Sequence, residues 1–267
     1  MAIRRLESGR LVYYMEPATA DFWDRRWQQQ PLTQERFEQS RKYGSYPVLD
    51  TLYKRYIPKN EPIVEAGCGL GTTVAALQGM GFQIEGIDYA QNTIQRILEI
   101  DPSMPVRVCD VLDIDVEDEY YAAYLSYGVV EHRRAGPEPF LEEAYRVLRP
   151  GGYAFITVPY VNPLRKLKGW LGMFRKSPGT TPFYQYAFGR QEFEDYLKQQ
   201  GFIILEWTTY DFPKTLSDEA KWMTNLYKIK GIGWRLKRWL ENSQYFESHW
   251  GHMLMVVAQK PTNSHKV

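Results

Sequence analysis

The chain has 267 residues, 44% of them hydrophobic and 24% charged, with a formal net charge of +1. That is enough chain for one large α/β domain or two small ones, with ample apolar material for a core. The small net charge gives no bulk attraction to nucleic acid, so any anionic partner must be met by local patches.

Residues 1–20 show only a hint of order, a short strand or packed arm around Tyr13, Tyr14 and Met15. From 21 to 43 the pattern is helical, with Phe22, Trp23, Trp27 and Phe37 among polar residues, and Pro31 divides it in two. Val48, Leu49, Leu52, Tyr53 and Tyr56 continue at helical spacing, closed by Pro58. Residues 1–60 therefore read as an N-terminal helical cap, and 61–267 as the main domain.

That domain opens with an apolar strand at 62–66, a glycine-rich turn, and a helix from 72 to 79. Strands follow at 82–87, 106–109, 120–127 and 153–158, with helices at 92–100 and 139–148 between them and a turn at Arg149-Pro150-Gly151-Gly152. This alternation predicts a Rossmann-like, doubly wound α/β fold with a mostly parallel sheet. A helix at 191–200 and strands at 202–210 and 252–259 complete the pattern. No sheet-packing crossover helix separates the last two strands, so they are expected to be antiparallel. Two insertions, at about 160–190 and 211–250, interrupt the order, and both are aromatic and basic.

The turn is Gly67-Cys68-Gly69-Leu70-Gly71, and acids close three strands: Glu65, Asp88 and Asp110. In a parallel sheet, ligands lie beyond the carboxyl ends of the strands. A carboxylate at Asp88 can accept both hydroxyls of a ribose. Asp110 is placed for an exocyclic amine, with the Val111 backbone beside it for a ring nitrogen. These point to an adenosine-containing cofactor. A dinucleotide loop would read G-x-G-x-x-G, but Thr72 holds the place of the third glycine. A phosphate loop would need a lysine that is absent from this stretch.

Val64-Glu65-Ala66-Gly67-Cys68-Gly69-Leu70-Gly71 resembles the first motif of class I S-adenosylmethionine-dependent methyltransferases. Gly86-Ile87-Asp88 resembles the second motif and Cys109-Asp110-Val111 the adenine-binding one. Tyr127-Gly128-Val129-Val130-Glu131-His132 and Tyr145–Gly152 are similar to the segments after strand four and before strand five in the ubiquinone- and sterol-type (methyltransferase type 11-like) branch. The resemblance covers residues 61–159 closely. It implies a seven-stranded sheet with an antiparallel last strand and S-adenosyl-L-methionine as cofactor. It also implies site roles. Glu65 and the backbone of Gly67, Cys68, Gly69 and Gly71 would hold the methionine portion. Asp88 would take the ribose, Tyr89 would pack near the adenine, and Asp110 and Val111 would read its edge. The backbone at Ser126 and Tyr127 would face the amino group.

His132 is a candidate base beside the acceptor, weighed against a structural histidine at a helix start. Cys68 is also readable as a buried filler. His249 and His252 lack the spacing of a metal pair, and no metal is expected. Leu164, Leu167, Leu171 and Phe174 recur at helical spacing among lysines and arginines, and 221–246 repeats the theme. Such stretches read as a lid over the site or as elements for a membrane surface. With Trp23 and Trp27, the insertions are expected to form a chamber over the methyl group.

The expected activity is methylation, on oxygen, of a small-molecule, lipid-linked or sugar acceptor. The alternatives are a non-catalytic cofactor-binding partner protein and an RNA methyltransferase, the latter disfavoured by the neutral charge and the lack of an added RNA-binding module. No apolar run approaches the ~18 residues of a membrane span. The first residues lack the apolar core of a secretion signal. Two cysteines make no disulfide framework. A cytoplasmic protein is therefore expected, with peripheral membrane contact through the insertions.

Overall fold

The computed structural model describes residues 2–7, 10–241 and 243–262. The chain opens with a hairpin, β1 (Ile3–Glu7) and β2 (Arg10–Tyr14), ahead of the helices of the N-terminal segment. Its strands are short and carry Arg4, Arg5 and Arg10, so apolar alternation is weak. Pairing with a strand far along the chain completes them. Three helices follow: α1 (Ala20–Gln28), α2 (Gln34–Tyr43) and α3 (Pro47–Tyr56). Thr19 and Thr33 start α1 and α2, each accepting a backbone N–H three residues on.

The alternating core runs β3 (Pro62–Ala66), α4 (Thr72–Gly79), β4 (Gln83–Asp88), α5 (Gln91–Ile100) and β5 (Val106–Val108). It continues with β6 (Tyr121–Tyr127), α6 (Glu138–Val147) and β7 (Leu148–Pro159). The glycines at 151 and 152 do not end a loop before β7. Tyr121 pairs with Leu148 and Ala123 with Tyr153, so residues 149–152 bulge out of a continuous strand.

The first insertion holds α7 (Pro163–Trp170) and β8 (Phe183–Ala187). The expected helix through Phe174 stops early. Gly172 takes a φ of +73°, and Phe174 turns back to pack with Leu11, Val161 and Ala187. Next come α8 (Arg190–Gln199) and β9 (Ile203–Tyr210). The second insertion is α9 (Phe212–Glu219), α10 (Lys221–Tyr227), α11 (Ile232–Glu241) and α12 (Gln244–Trp250), and β10 (Met253–Gln259) closes the chain.

The large sheet has seven strands in the order β5-β4-β3-β6-β7-β10-β9. Only β10 runs against its neighbours, slotting between β7 and β9. Alternate residues of each strand feed two cores. Ile63, Leu125 and Phe155 pack under α2–α5, while Val64, Tyr124 and Ile156 pack under α6 and α8. A second, antiparallel sheet, β1-β2-β8, ties the hairpin to the first insertion. Strand order reverses between β3 and β6, which places a crevice at their carboxyl ends.

Candidate active site

The crevice is filled in from above by α1. Asp24 of α1 is buried, and its Oδ1 accepts from the Thr93 amide at 2.9 Å and the Thr93 hydroxyl at 2.7 Å. Its Oδ2 accepts from the Asn92 side chain at 2.8 Å. Asp24 thus caps the N-terminus of α5 from another helix, satisfying donors that α5 leaves open. In return, Arg96 of α5 donates to the Trp27 and Gln30 carbonyls at the end of α1, at 2.9 and 3.0 Å. This reciprocal capping lays Trp23 and Trp27, stacked at 5.4 Å, against the site. The Trp27 ring would stand 3.1 Å from a Cβ on Gly69.

Below α1 lies a cavity of about 210 Å³. Of the expected site residues, Gly67, Asp88, Tyr89, Asp110, Val111, Tyr127 and His132 line it, together with Trp23 and Trp27. Gly67 needs a φ of +80°, and any Cβ there would meet Val129 at 2.5 Å. Asp88 is buried, and each carboxylate oxygen already accepts one backbone N–H, from Gly69 and from Ala90, both at 2.9 Å. Each oxygen keeps a lone pair for a hydroxyl. Asp110 accepts from the Leu112 amide at 2.9 Å. Tyr89 donates its hydroxyl to the Ala18 carbonyl at 2.9 Å, a further tie to the cap.

Other expected residues stand behind the wall. Cys68 is buried, its Sγ 2.9 Å from where Gly86 would carry a Cβ, so its side chain packs on β4 rather than contacting a cofactor. Gly71 takes a φ of +69° to start α4, and its open side faces Met104 in the core. Ser126 is fully buried, and its hydroxyl has no partner.

Glu65 is the informative case. It is 3% exposed, and its Oε2 has no hydrogen-bond partner. Burial pushes its carboxyl up to about 8, with Asp88 adding to the rise, while the Thr73 hydroxyl and the Val74 amide oppose it. A buried acid with one unpartnered oxygen gains from a cation. The loop around it offers few donors. The Gly67 and Cys68 amides both go to the Ile87 carbonyl, Gly69 to Asp88, and Gly71 to the Cys68 carbonyl. A pyrophosphate needs free amides at this turn. A ligand with an ammonium and a sulfonium suits carboxylates and inward-turned amides instead.

His132 ends a short 3₁₀ turn, Val130–His132. Its ring lies between Trp23, at 5.2 Å, and Tyr184 of β8, at 4.8 Å, both edge-on. Nδ1 sits 2.9 Å from the Tyr184 carbonyl, which can only accept, so Nδ1 carries the proton and Nε2 is bare in the neutral ring. Burial lowers its pKa to about 4 against the pull of the Tyr184 and Gly128 carbonyls. Glu131, beside it, is 2% exposed with a partnerless Oε2, and burial pushes its carboxyl up to about 8.

A second cavity, of about 330 Å³, shares Tyr127 with the first and is rich in hydroxyls, among them Thr72, Thr73, Tyr53 and Tyr210. A third, of about 820 Å³, shares Tyr46 and Tyr210 with the second and reaches Glu247 and Ser248 of α12. The insertions therefore do not roof the first cavity as expected. Among the described residues the first insertion reaches it through Tyr184, whose ring and carbonyl both meet His132. His249 and His252 have separate partners: Nδ1 of His249 lies 2.7 Å from the Ser248 hydroxyl, and Nδ1 of His252 accepts from Arg165 at 2.8 Å. Asp24, Arg96 and Tyr184 are site-building residues that no sequence signal marks, because their partners are remote in the chain.

A family profile described as "Methyltransferase domain" matches residues 64–156, which include most of β3 to β7 and the cavity-lining Asp88 and Asp110. Residues 64–156 thus match a methyltransferase domain, and the sheet around them has the class I methyltransferase fold. The cofactor of this family is S-adenosyl-L-methionine. A Mycolicibacterium smegmatis protein described as a probable S-adenosylmethionine-dependent methyltransferase is 26% identical over 142 residues, 53% of this chain and 52% of its own. The mouse mitochondrial ubiquinone biosynthesis O-methyltransferase is 34% identical over 103 residues, 36% of this chain and 28% of its own. The mouse eEF1A lysine and N-terminal methyltransferase is 27% identical over 168 residues, 58% of this chain and 23% of its own. The chain thus spans about half or less of the length of these relatives. Among solved structures, the methyltransferase domain resembles a chain from a Haloferax volcanii complex with the Trm112 methyltransferase activator. The TM-score is 0.58 at 16% identity, over 90% of this chain and 97% of that one. An S-adenosylmethionine-dependent methyltransferase from Thermotoga maritima matches at 0.52 and 18% identity, over 91% of this chain and 100% of that one. At these identities the likeness is one of fold.

Proposed function

We propose that the protein transfers a methyl group from S-adenosyl-L-methionine to an oxygen of a small, partly apolar or lipid-linked acceptor. The observation that carries the donor side is Glu65: a buried carboxyl with a partnerless oxygen behind a loop whose amides are turned inward. Glu65 would hold the cofactor's ammonium, Asp88 its ribose, and Asp110 with the Val111 backbone its adenine, under the Trp23–Trp27 cover. When bound, the cofactor supplies a methyl group on a positively charged sulfur.

The chain's own residues supply positioning and proton handling. Trp23 and Trp27 exclude water and present ring faces suited to a cation. His132 stays neutral at pH 7, with Nε2 bare, and would accept the proton from an acceptor hydroxyl. The Tyr184 carbonyl holds the ring in the tautomer this needs. The hydroxyl-lined cavity under Tyr127 would receive the acceptor's polar head, and the larger one beyond Tyr46 and Tyr210 its remaining length. Burial raises the Tyr53, Tyr127 and Tyr210 phenols, so they serve as neutral hydrogen-bond groups. A lipid-like acceptor would also explain basic, aromatic helices beside the outer cavity.

The test is methyl-labelled cofactor incubated with cell extract, followed by separation into lipid, small-molecule, protein and RNA fractions. Label is expected in the lipid or small-molecule fraction and lost with His132→Gln. Label confined to protein or RNA would overturn the acceptor class. Tight binding of S-adenosylhomocysteine without transfer to any fraction would favour a non-catalytic binder.

A further inference from the structure

The insertions leave large aromatic side chains mostly in water. Trp170, at the end of α7, is 80% exposed; Trp222 of α10 is 67% exposed, and Trp234 and Trp239 of α11 are 60% each. A single exposed apolar residue needs no explanation, but a group of tryptophans on neighbouring elements does. The elements are neighbours because Lys168 of α7 bonds Glu219, the last residue of α9, at 2.8 Å. Trp170 and Trp222 each follow that contact within one helical turn. Arg165 of α7 holds the same Glu219 from inside at 3.1 Å, so a buried ion pair joins the two insertions.

Charge is segregated onto the joined insertions. No Asp or Glu occurs from 160 to 189 or from 221 to 240, although the whole chain has a net charge of only +1. Lys166, Arg175 and Lys176 lie near Trp170 in the chain and Lys228, Lys230 and Arg235 near Trp234, all exposed, and Arg238 stands over the Trp234 ring. The partner that complements this surface is anionic. The aliphatic tips decide which anionic partner. Leu171, Met173, Ile229 and Ile232 are 47–62% exposed among these cations. A nucleic acid would neutralise the cations and leave those tips in water. A bilayer takes both, phosphates at the cations and acyl chains at the tips, with indole rings at the boundary.

We propose that α7 and α10–α11 form one docking face for an anionic lipid bilayer. The reading goes beyond methyl transfer and does not depend on it. The helices are short, α11 having 10 residues, so they would lie in the interface rather than cross it. Among the described residues no helix is long and apolar enough to cross a membrane.

The experiment is flotation with phosphatidylcholine vesicles, with and without about 30% phosphatidylglycerol, alongside a Trp234→Glu/Trp239→Glu double variant. Both side chains lie outside the core, so melting temperature and S-adenosylhomocysteine affinity should be unchanged. The wild type should float only with the anionic vesicles, shift its tryptophan emission to the blue, and lose about tenfold or more of its binding in about 0.5 M salt. The double variant should lose about tenfold or more at low salt. Absence of flotation, equal flotation by the variant, or salt-sensitive binding to duplex RNA without vesicle binding would each overturn the proposal. Loss of cofactor binding would leave the flotation result standing, so the two readings fail separately.

Discussion

The two flanks of the large sheet are built by different rules. On the cofactor flank, β3, β4 and β5 each end in a residue or turn that faces the cavity, and each leads into its helix or loop within a few residues. On the other flank, β7, β10 and β9 are adjacent in space but separated in the chain by two insertions, which are tied together by long-range ionic contacts. Arg165 is the clearest of these. Its side chain is fully buried and bonds Glu219, the Tyr160 carbonyl and His252 Nδ1. Glu219 is also held by Arg4 and Lys168, and its carboxyl is lowered despite burial. One flank is local and carries the proposed donor site; the other is assembled from distant pieces. Damage to one should therefore leave the other's property intact.

The largest effect that would break this division is at the point where the flanks meet. His132→Gln should lower kcat by about 10²–10⁴ while S-adenosylhomocysteine affinity stays within about threefold; a matching loss of affinity in calorimetry would make His132 structural. Arg165→Ala should cost about 3 kcal/mol in denaturant melts, toward the low end for a broken buried pair because Lys168 and Arg4 remain on Glu219. Its cofactor affinity should not move.

On the donor flank, Asp88→Ala should weaken S-adenosylhomocysteine binding by more than about tenfold, because the Gly69 and Ala90 amides lose their partner along with the ribose. Near-native affinity would contradict the assigned role. Asp24→Ala removes a cap worth about 0.5–2 kcal/mol and so loosens the tryptophan cover. A several-fold loss of affinity with faster ligand release is expected, and unchanged release in stopped-flow would show that α1 is held by its packing alone.

The smallest effect is in pH. Folded Glu65 and Glu131 hold their protons to about 8, against an ordinary value of 4.5. The native state therefore binds more protons than the unfolded chain between those limits, and the ligand-free protein should lose stability as pH rises through them. A cation at Glu65 favours its ionised form. Binding at pH 7 should then release a proton, and affinity should climb toward pH 8 and level off, which calorimetry in buffers of different ionisation enthalpy would read. Glu65→Gln should abolish the release.

What could be read in advance follows the same division. The bounds of β3 and α4 are legible because an apolar run, an acid and closely spaced glycines are all adjacent in the chain. Asp88 and Asp110 are legible as strand-end acids. Cys68 and Gly71 occupy the motif yet face the core, since loop backbone and side chain point opposite ways. Of the β1–β2 hairpin only the strand character near Tyr13 and Tyr14 was legible, because its strands are completed by β8 and its charges mask alternation. The early end of α7 was not legible: apolar spacing runs on to Phe174, but the backbone turns at Gly172.

The sequence by itself determined the βα alternation, the donor loop and its acids, because hydrophobic period, turn chemistry and motif spacing are properties of neighbouring residues. Only the tertiary structure decided what covers the loop and what each acid sees. Asp24 capping α5, Tyr184 orienting His132, and the partnerless oxygen of Glu65 all arise from remote segments brought together, and burial sets a carboxyl's charge state only once the chain has closed around it.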